Sequence, residues 1–98
     1  MIRVVIKNNT VSVSGHANYA DYGKDIVCAS VSSVIGTVVN CIMNIDFDSI
    51  SYLDNGEKIT ITKLKSIDTV DIILDTMVAM FRDLETKYKK NIKIESEE

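Results

Sequence analysis

The chain has no proline and no tryptophan, and its 98 residues hold only four glycines, Gly15, Gly23, Gly36 and Gly56. Few breakers leave few loops, so the secondary elements are expected to be long and closely joined. Basic residues are also in short supply. Eleven Lys and Arg against 14 Asp and Glu give a net charge of −3, and no basic cluster stands out beyond the final helix. That balance argues against direct nucleic-acid binding, since neutralising phosphates supplies most non-specific affinity. One histidine, His16, and two cysteines, Cys28 and Cys41, are too few for a disulfide framework or for a zinc centre with its three or four ligands. No metal or cofactor is expected, and the thiols are expected to be free in a reducing cytoplasm. The opening residues MIRVVIKNN alternate like a strand and lack the apolar block of a signal peptide. The most apolar run, residues 35–45, is broken by Asn40 and Asn44, so no membrane span is expected. At 46% hydrophobic and 26% charged, the composition is that of one globular domain over residues 1–98.

What is present falls into seven segments. Ile2, Val4 and Ile6 alternate with Arg3 and Val5, and after Asn8 and Asn9 the alternation resumes at Val11 and Val13, which reads as a β-hairpin. A helix is expected from Ile26, capped by Asp25. Val27, Val31, Val34, Val38, Cys41 and Ile45 would form its apolar face, with Cys28, Ile35, Val39 and Ile42 widening it. A helix apolar nearly all round is expected to be buried on more than one side. A strand over residues 31–39 would need alternation, which the adjacent pairs Val34-Ile35 and Val38-Val39 break. Residues 49–54 and 57–64 read as a second hairpin around Asn55-Gly56, both central residues expected at positive φ. Asp68 is expected to cap a second helix, in which Val70, Ile73, Leu74, Met77, Phe81, Leu84 and Tyr88 recur at helical spacing. A short strand over residues 92–94 and a frayed tail over residues 95–98 close the chain. The order β-β-α-β-β-α-β makes an α+β domain, a mainly antiparallel sheet packed with two helices. Without its first strand the order is ferredoxin-like, a topology that carries no chemistry of its own.

The chemistry concentrates in residues 15–32, GHANYADYGKDIVCASVS. A polar, tyrosine-bearing loop runs between Gly15 and Gly23, after the second strand delivers His16 at its end. Cys28 follows in the first turn of the helix, where the partial positive charge of the helix origin favours a thiolate. Read alone, a cytosolic cysteine such as Cys28 is more often a small hydrophobe on a buried helix face. The histidine twelve residues earlier changes that balance. The intervening chain spans about 40 Å at full extension, so the imidazole is free to reach the sulfur. A Cys28 nucleophile with His16 as base and then acid is a protease arrangement. Asp25 either caps the helix or orients His16, and the two roles are compatible. Cys41 lies about 20 Å along the helix axis from Cys28 and reads as core. Ser32, one turn beyond Cys28, either bonds back to its own helix or meets substrate. Tyr19 and Tyr22 either line a substrate groove or pack on the protein's own surface.

The residues Gly15-His16-Ala17, Gly23, Asp25-Ile26-Val27-Cys28-Ala29 and Val31-Ser32, with the twelve-residue step from His to Cys, resemble the ribosomal-processing cysteine protease family, Prp. Ser30 stands where the family commonly has alanine. The glycine often found within the second helix and the proline after its Tyr are absent, positions that bear on helix packing and not on the catalytic residues. The resemblance implies a bacterial, cytoplasmic endopeptidase acting on large-subunit ribosomal protein twenty-seven, from which it removes a short, hydrophobic, phenylalanine-rich N-terminal extension. It implies Cys28 as nucleophile, His16 as base, Asp25 as an assisting acid, and Ser32 as a substrate-binding or site-supporting residue; beside these, Gly15, Tyr19 and Tyr22 of the loop are expected to border substrate. It also implies a homodimer, which suits a first helix too apolar for one small subunit to cover. The loop is then expected to be mobile before substrate closes it. The competing reading is a non-catalytic, ribosome-associated or small-ligand-binding α+β module with Cys28 buried.

Overall fold

Alternation, turn chemistry and helical periodicity produce the seven elements in the expected order. They are β1 (Ile2–Lys7), β2 (Thr10–Ser14), α1 (Ile26–Ile45), β3 (Ile50–Asp54), β4 (Lys58–Lys63), α2 (Asp68–Lys87) and β5 (Ile92–Glu97). The structure, a computed structural model, describes residues 1–21 and 23–97. The strands form one mixed sheet in the order β3-β4-β2-β1-β5, parallel between β1 and β5 and antiparallel elsewhere. Removing β1 leaves the ferredoxin-like strand order, so β1 is intercalated between the first and last strands of that plan.

Register places the apolar side chains on one face. Val13 pairs with Val4 and Ile59, Val11 with Ile61, and Val4 with Ile94. Against this face pack Val27, Val31, Ile35, Val38 and Ile42 of α1 and Val70, Met77 and Phe81 of α2. Each fully buried side chain of this size is worth about 1.5–3 kcal/mol of transfer free energy, so these three positions fix the pose of α2.

Several expectations are corrected. The buried stripe of α1 runs 27, 31, 35, 38, 42, while Cys41 is exposed and not core, and Ile45 is exposed too. The competing 34-38-41-45 series lies on the edge of the same stripe, and periodicity alone could not rank two overlapping apolar series. Residues 95–97 are not a frayed tail: β5 runs to Glu97, with Glu95 opposite Val5 and Glu97 opposite Lys7. Glu98 lies outside the described residues. Ile67, not Asp68, is the cap position of α2, and it makes no side-chain cap bond. In the β3–β4 turn Gly56 has positive φ and Asn55 does not; instead the Asn55 Oδ1 accepts from the Glu57 and Lys58 N–H groups. Finally, by length and composition α1 is apolar enough to cross a membrane, contrary to expectation. Asn40 does not prevent this, since its amide bonds back to the Gly36 carbonyl as Ser30 does to Ile26. In this fold one side of the helix packs on the sheet and α2.

Candidate active site

The site begins where β2 ends. Gly15 has φ +85°, and an added Cβ there would collide with the Met1 carbonyl oxygen. Only glycine lets the chain leave the sheet at that point. His16 follows, exposed, and Ala17 is buried. The Ala17 N–H donates to the Cys28 Sγ at 3.3 Å, and the Ala17 carbonyl accepts from the Asn91 side-chain amide at 2.9 Å. The residue next to the histidine is thus fixed to the thiol on one side and to the start of β5 on the other.

Asp25 anchors the same loop from the helix. Its Oδ1 accepts the N–H groups of Val27 and Cys28, both at 3.0 Å, which caps α1 as expected. Its Oδ2 accepts from Tyr19 at 2.9 Å and from Ala20 at 3.4 Å. The Cys28 N–H most of all holds the carboxyl below its ordinary value; desolvation opposes it, and the weaker bonds from Tyr19, Ala20 and Val27 add to the lowering. Both oxygens are therefore engaged with backbone. Among the described residues no hydrogen bond joins Asp25 to His16, or His16 to Cys28. What Asp25 orients is the loop that carries the imidazole.

Cys28 is half-buried in the first turn of α1. It opens into a cleft of about 1030 Å³ that His16, Gly15, Asp25 and Ser32 also line. The apolar lining comes from Ile2, Val13, Val31, Ile35 and Ile59. Ser32 is exposed there, one turn beyond the thiol. Tyr19 does not line this cleft: its ring stands edge-on against Tyr88, centroids 5.4 Å apart at 84°. Tyr22 lies outside the described residues. The tip of the β3–β4 hairpin lines the same cleft with Asp54, Gly56, Glu57 and Lys58. Asn55-Gly56 announced that turn in the sequence, but nothing local announced that it shares a cleft with the thiol. Asn91 was likewise invisible, being 74 residues from the carbonyl it holds.

Chemically, the α1 origin and the Ala17 N–H both bring partial positive charge to the sulfur. An imidazole stands one residue from that N–H, adjacent Cα atoms being about 3.8 Å apart. A thiol and an imidazole sharing a cleft with apolar walls suit nucleophilic attack on an acyl carbon of an extended, largely apolar peptide. Among the described residues no group of three or more His, Cys, Asp and Glu side chains is gathered to hold a metal ion.

Known proteins share this arrangement's sequence and shape. The family profile of cysteine protease Prp matches residues 1–93. A ribosomal processing cysteine protease Prp of Staphylococcus aureus is 36% identical over 94 residues, covering 90% of this chain and 86% of its own. A crystal structure of an essential ribosomal processing protease Prp from S. aureus, in complex with a covalently linked product peptide, superposes with a TM-score of 0.88 at 34% identity, covering 99% of this chain and 100% of that one. A second, of the S. aureus protease with a substrate peptide, gives 0.82 at 32% identity, with coverage of 99% and 100%.

Proposed function

The chain belongs to the cysteine protease Prp family, and from that premise we propose that it is a ribosomal-processing endopeptidase of the bacterial cytoplasm. Its substrate is large-subunit ribosomal protein twenty-seven, from which it removes a short hydrophobic N-terminal extension. The observation that carries the reading is the Cys28 sulfur at the origin of α1, open to a cleft and bonded to the residue beside His16.

In this mechanism His16 takes the thiol proton and the Cys28 sulfur attacks the scissile carbonyl carbon. The tetrahedral intermediate collapses with cleavage of the C–N bond. His16 returns the proton to the departing amine, which becomes the new amino terminus of the shortened protein. Water, deprotonated by His16, then hydrolyses the thioester and frees the extension as a carboxylate. Asp25 acts by position, tying residues 19 and 20 to the first turn of α1. Gly15 and Ser32 border the bound peptide, and the apolar lining receives the side chains of the extension. Tyr19 meets substrate by leaving Tyr88 once the loop moves, and Tyr22, outside the described residues, is assigned to substrate with it. The substrate-peptide and product-peptide complexes of the S. aureus protease support a peptide as the ligand. Net acidity suits a basic ribosomal partner. The enzyme works as a homodimer, with neither nucleic acid nor membrane as a direct partner.

Mass spectrometry of extended protein twenty-seven, before and after incubation, tests this. Wild type removes the extension, Cys28→Ala lowers kcat/KM by at least about 10⁴-fold, and His16→Ala by about 10²–10⁴-fold. Undiminished cleavage by Cys28→Ala would end the assignment.

A further inference from the structure

The turn between α2 and β5 lies far from the cysteine and histidine in sequence, yet it grips the loop between them twice. Tyr88, the C-terminal cap residue of α2, packs edge-on against Tyr19. Asn91 donates its side-chain amide to the Ala17 carbonyl. Its own backbone is committed elsewhere, the N–H to the Tyr88 carbonyl and the carbonyl to the Ile2 N–H. The Asn91 side chain is therefore presented from a fixed platform. Ala17 is almost completely buried, and its N–H is the group that reaches the Cys28 sulfur.

Resting on the protease reading above, we propose that Asn91 is a positioning residue for the reaction. By holding the Ala17 carbonyl it fixes the backbone of residue 17, which keeps the Ala17 N–H against the sulfur and sets where His16 leaves the sheet. A part-buried amide-to-carbonyl bond leaves its acceptor unpaired when the donor is removed, so the loss falls on geometry at the reacting centre rather than on peptide affinity.

The experiment uses the full chain in a Cys41→Ser background, because Cys41 is exposed and would also react with a thiol reagent. Asn91→Ala and Asn91→Asp are compared with their parent. The aspartate keeps the shape and every backbone bond but offers no donor at neutral pH. Both variants should lose about ten-fold in kcat with KM held within about two-fold, the scale of one such bond. Alkylation of Cys28 by iodoacetamide should slow in parallel, a readout that needs no substrate. Circular dichroism verifies the fold, and if Asn91→Ala unfolds, the isosteric Asn91→Asp carries the test. Wild-type kcat and wild-type alkylation in the folded variants would overturn the role of Asn91. Cys28→Ala, run alongside, separates the failures: activity surviving there removes the protease reading itself, whereas its loss beside unaffected Asn91 variants removes only this inference.

Discussion

At the scale of single residues, Asp25 connects more of the site than any other side chain, and its charge makes that connection depend on pH. Four backbone N–H groups converge on one carboxylate. They hold it below its ordinary value of 3.8, the Cys28 N–H most of all. A carboxyl lowered in the folded state stabilises the fold while ionised. Its contribution is whole above the unfolded-state value and is lost as pH falls through the lowered native one. Asp25→Asn keeps one acceptor oxygen and replaces the other with an amide that cannot accept from Tyr19 and Ala20. At neutral pH this variant should melt below wild type and lose about ten-fold in kcat. The two melting temperatures should converge on acidification through roughly pH 5 to pH 2, followed by circular dichroism. Parallel curves would mean that the ionised carboxylate is not what holds the loop. The cap was legible in the sequence because capping is local: an Asp two and three residues ahead of the N–H groups it receives. The second half of the role, bonds back to residues 19 and 20, required the loop to fold over, and no spacing rule encodes that.

At the scale of elements, periodicity carried most of the fold. Alternation found β1, β2 and β4, and the 3.6-residue repeat found both helices, because each element must present one apolar side to a shared core. The reading failed where two patterns overlapped or where pairing came from far away. The closing strand is the clearer case. Glu95, Ser96 and Glu97 have no strand-like composition, yet β1 offers them an in-register parallel neighbour. That leaves β5 as an exposed sheet edge, which the structure covers at one point by an acidic side chain from α2. The Glu85 Oε2 accepts the Ile94 N–H at 2.8 Å. Such a bond satisfies a part-buried donor and denies it to a foreign strand. Glu85→Ala should therefore cost about 1–2 kcal/mol in urea denaturation and raise aggregation on heating, while Glu85→Gln, which still accepts, should retain most of the stability. Equal losses in both variants would point to charge rather than to the bond.

At the scale of the whole molecule, α1 poses the remaining question. Its 20 residues include no charged side chain, although Ile26, Ser33, Thr37, Asn40, Cys41 and Asn44 are all exposed. A solvent-facing helix surface ordinarily carries charge, as α2 does with Asp75, Arg82, Asp83 and Lys87. An uncharged face of small residues would let another backbone approach closely, and under the dimer proposal a second copy of this chain would supply it. The cleft residues Cys28 and Ser32 sit on the same helix, so pairing there would also fix the element that carries the nucleophile. Thr37→Arg places a charge in that face, away from the cleft lining. Analytical ultracentrifugation should give wild type at twice the chain mass and the variant as a monomer. Because an unpaired charge in a closed interface costs several kcal/mol, the dissociation constant should rise roughly a hundred-fold or more. A monomer whose cleavage rate has fallen while its melting curve is unchanged would tie assembly to activity through α1. A wild type sedimenting as a single chain would leave that uncharged face without its second copy and remove the dimer from the mechanism.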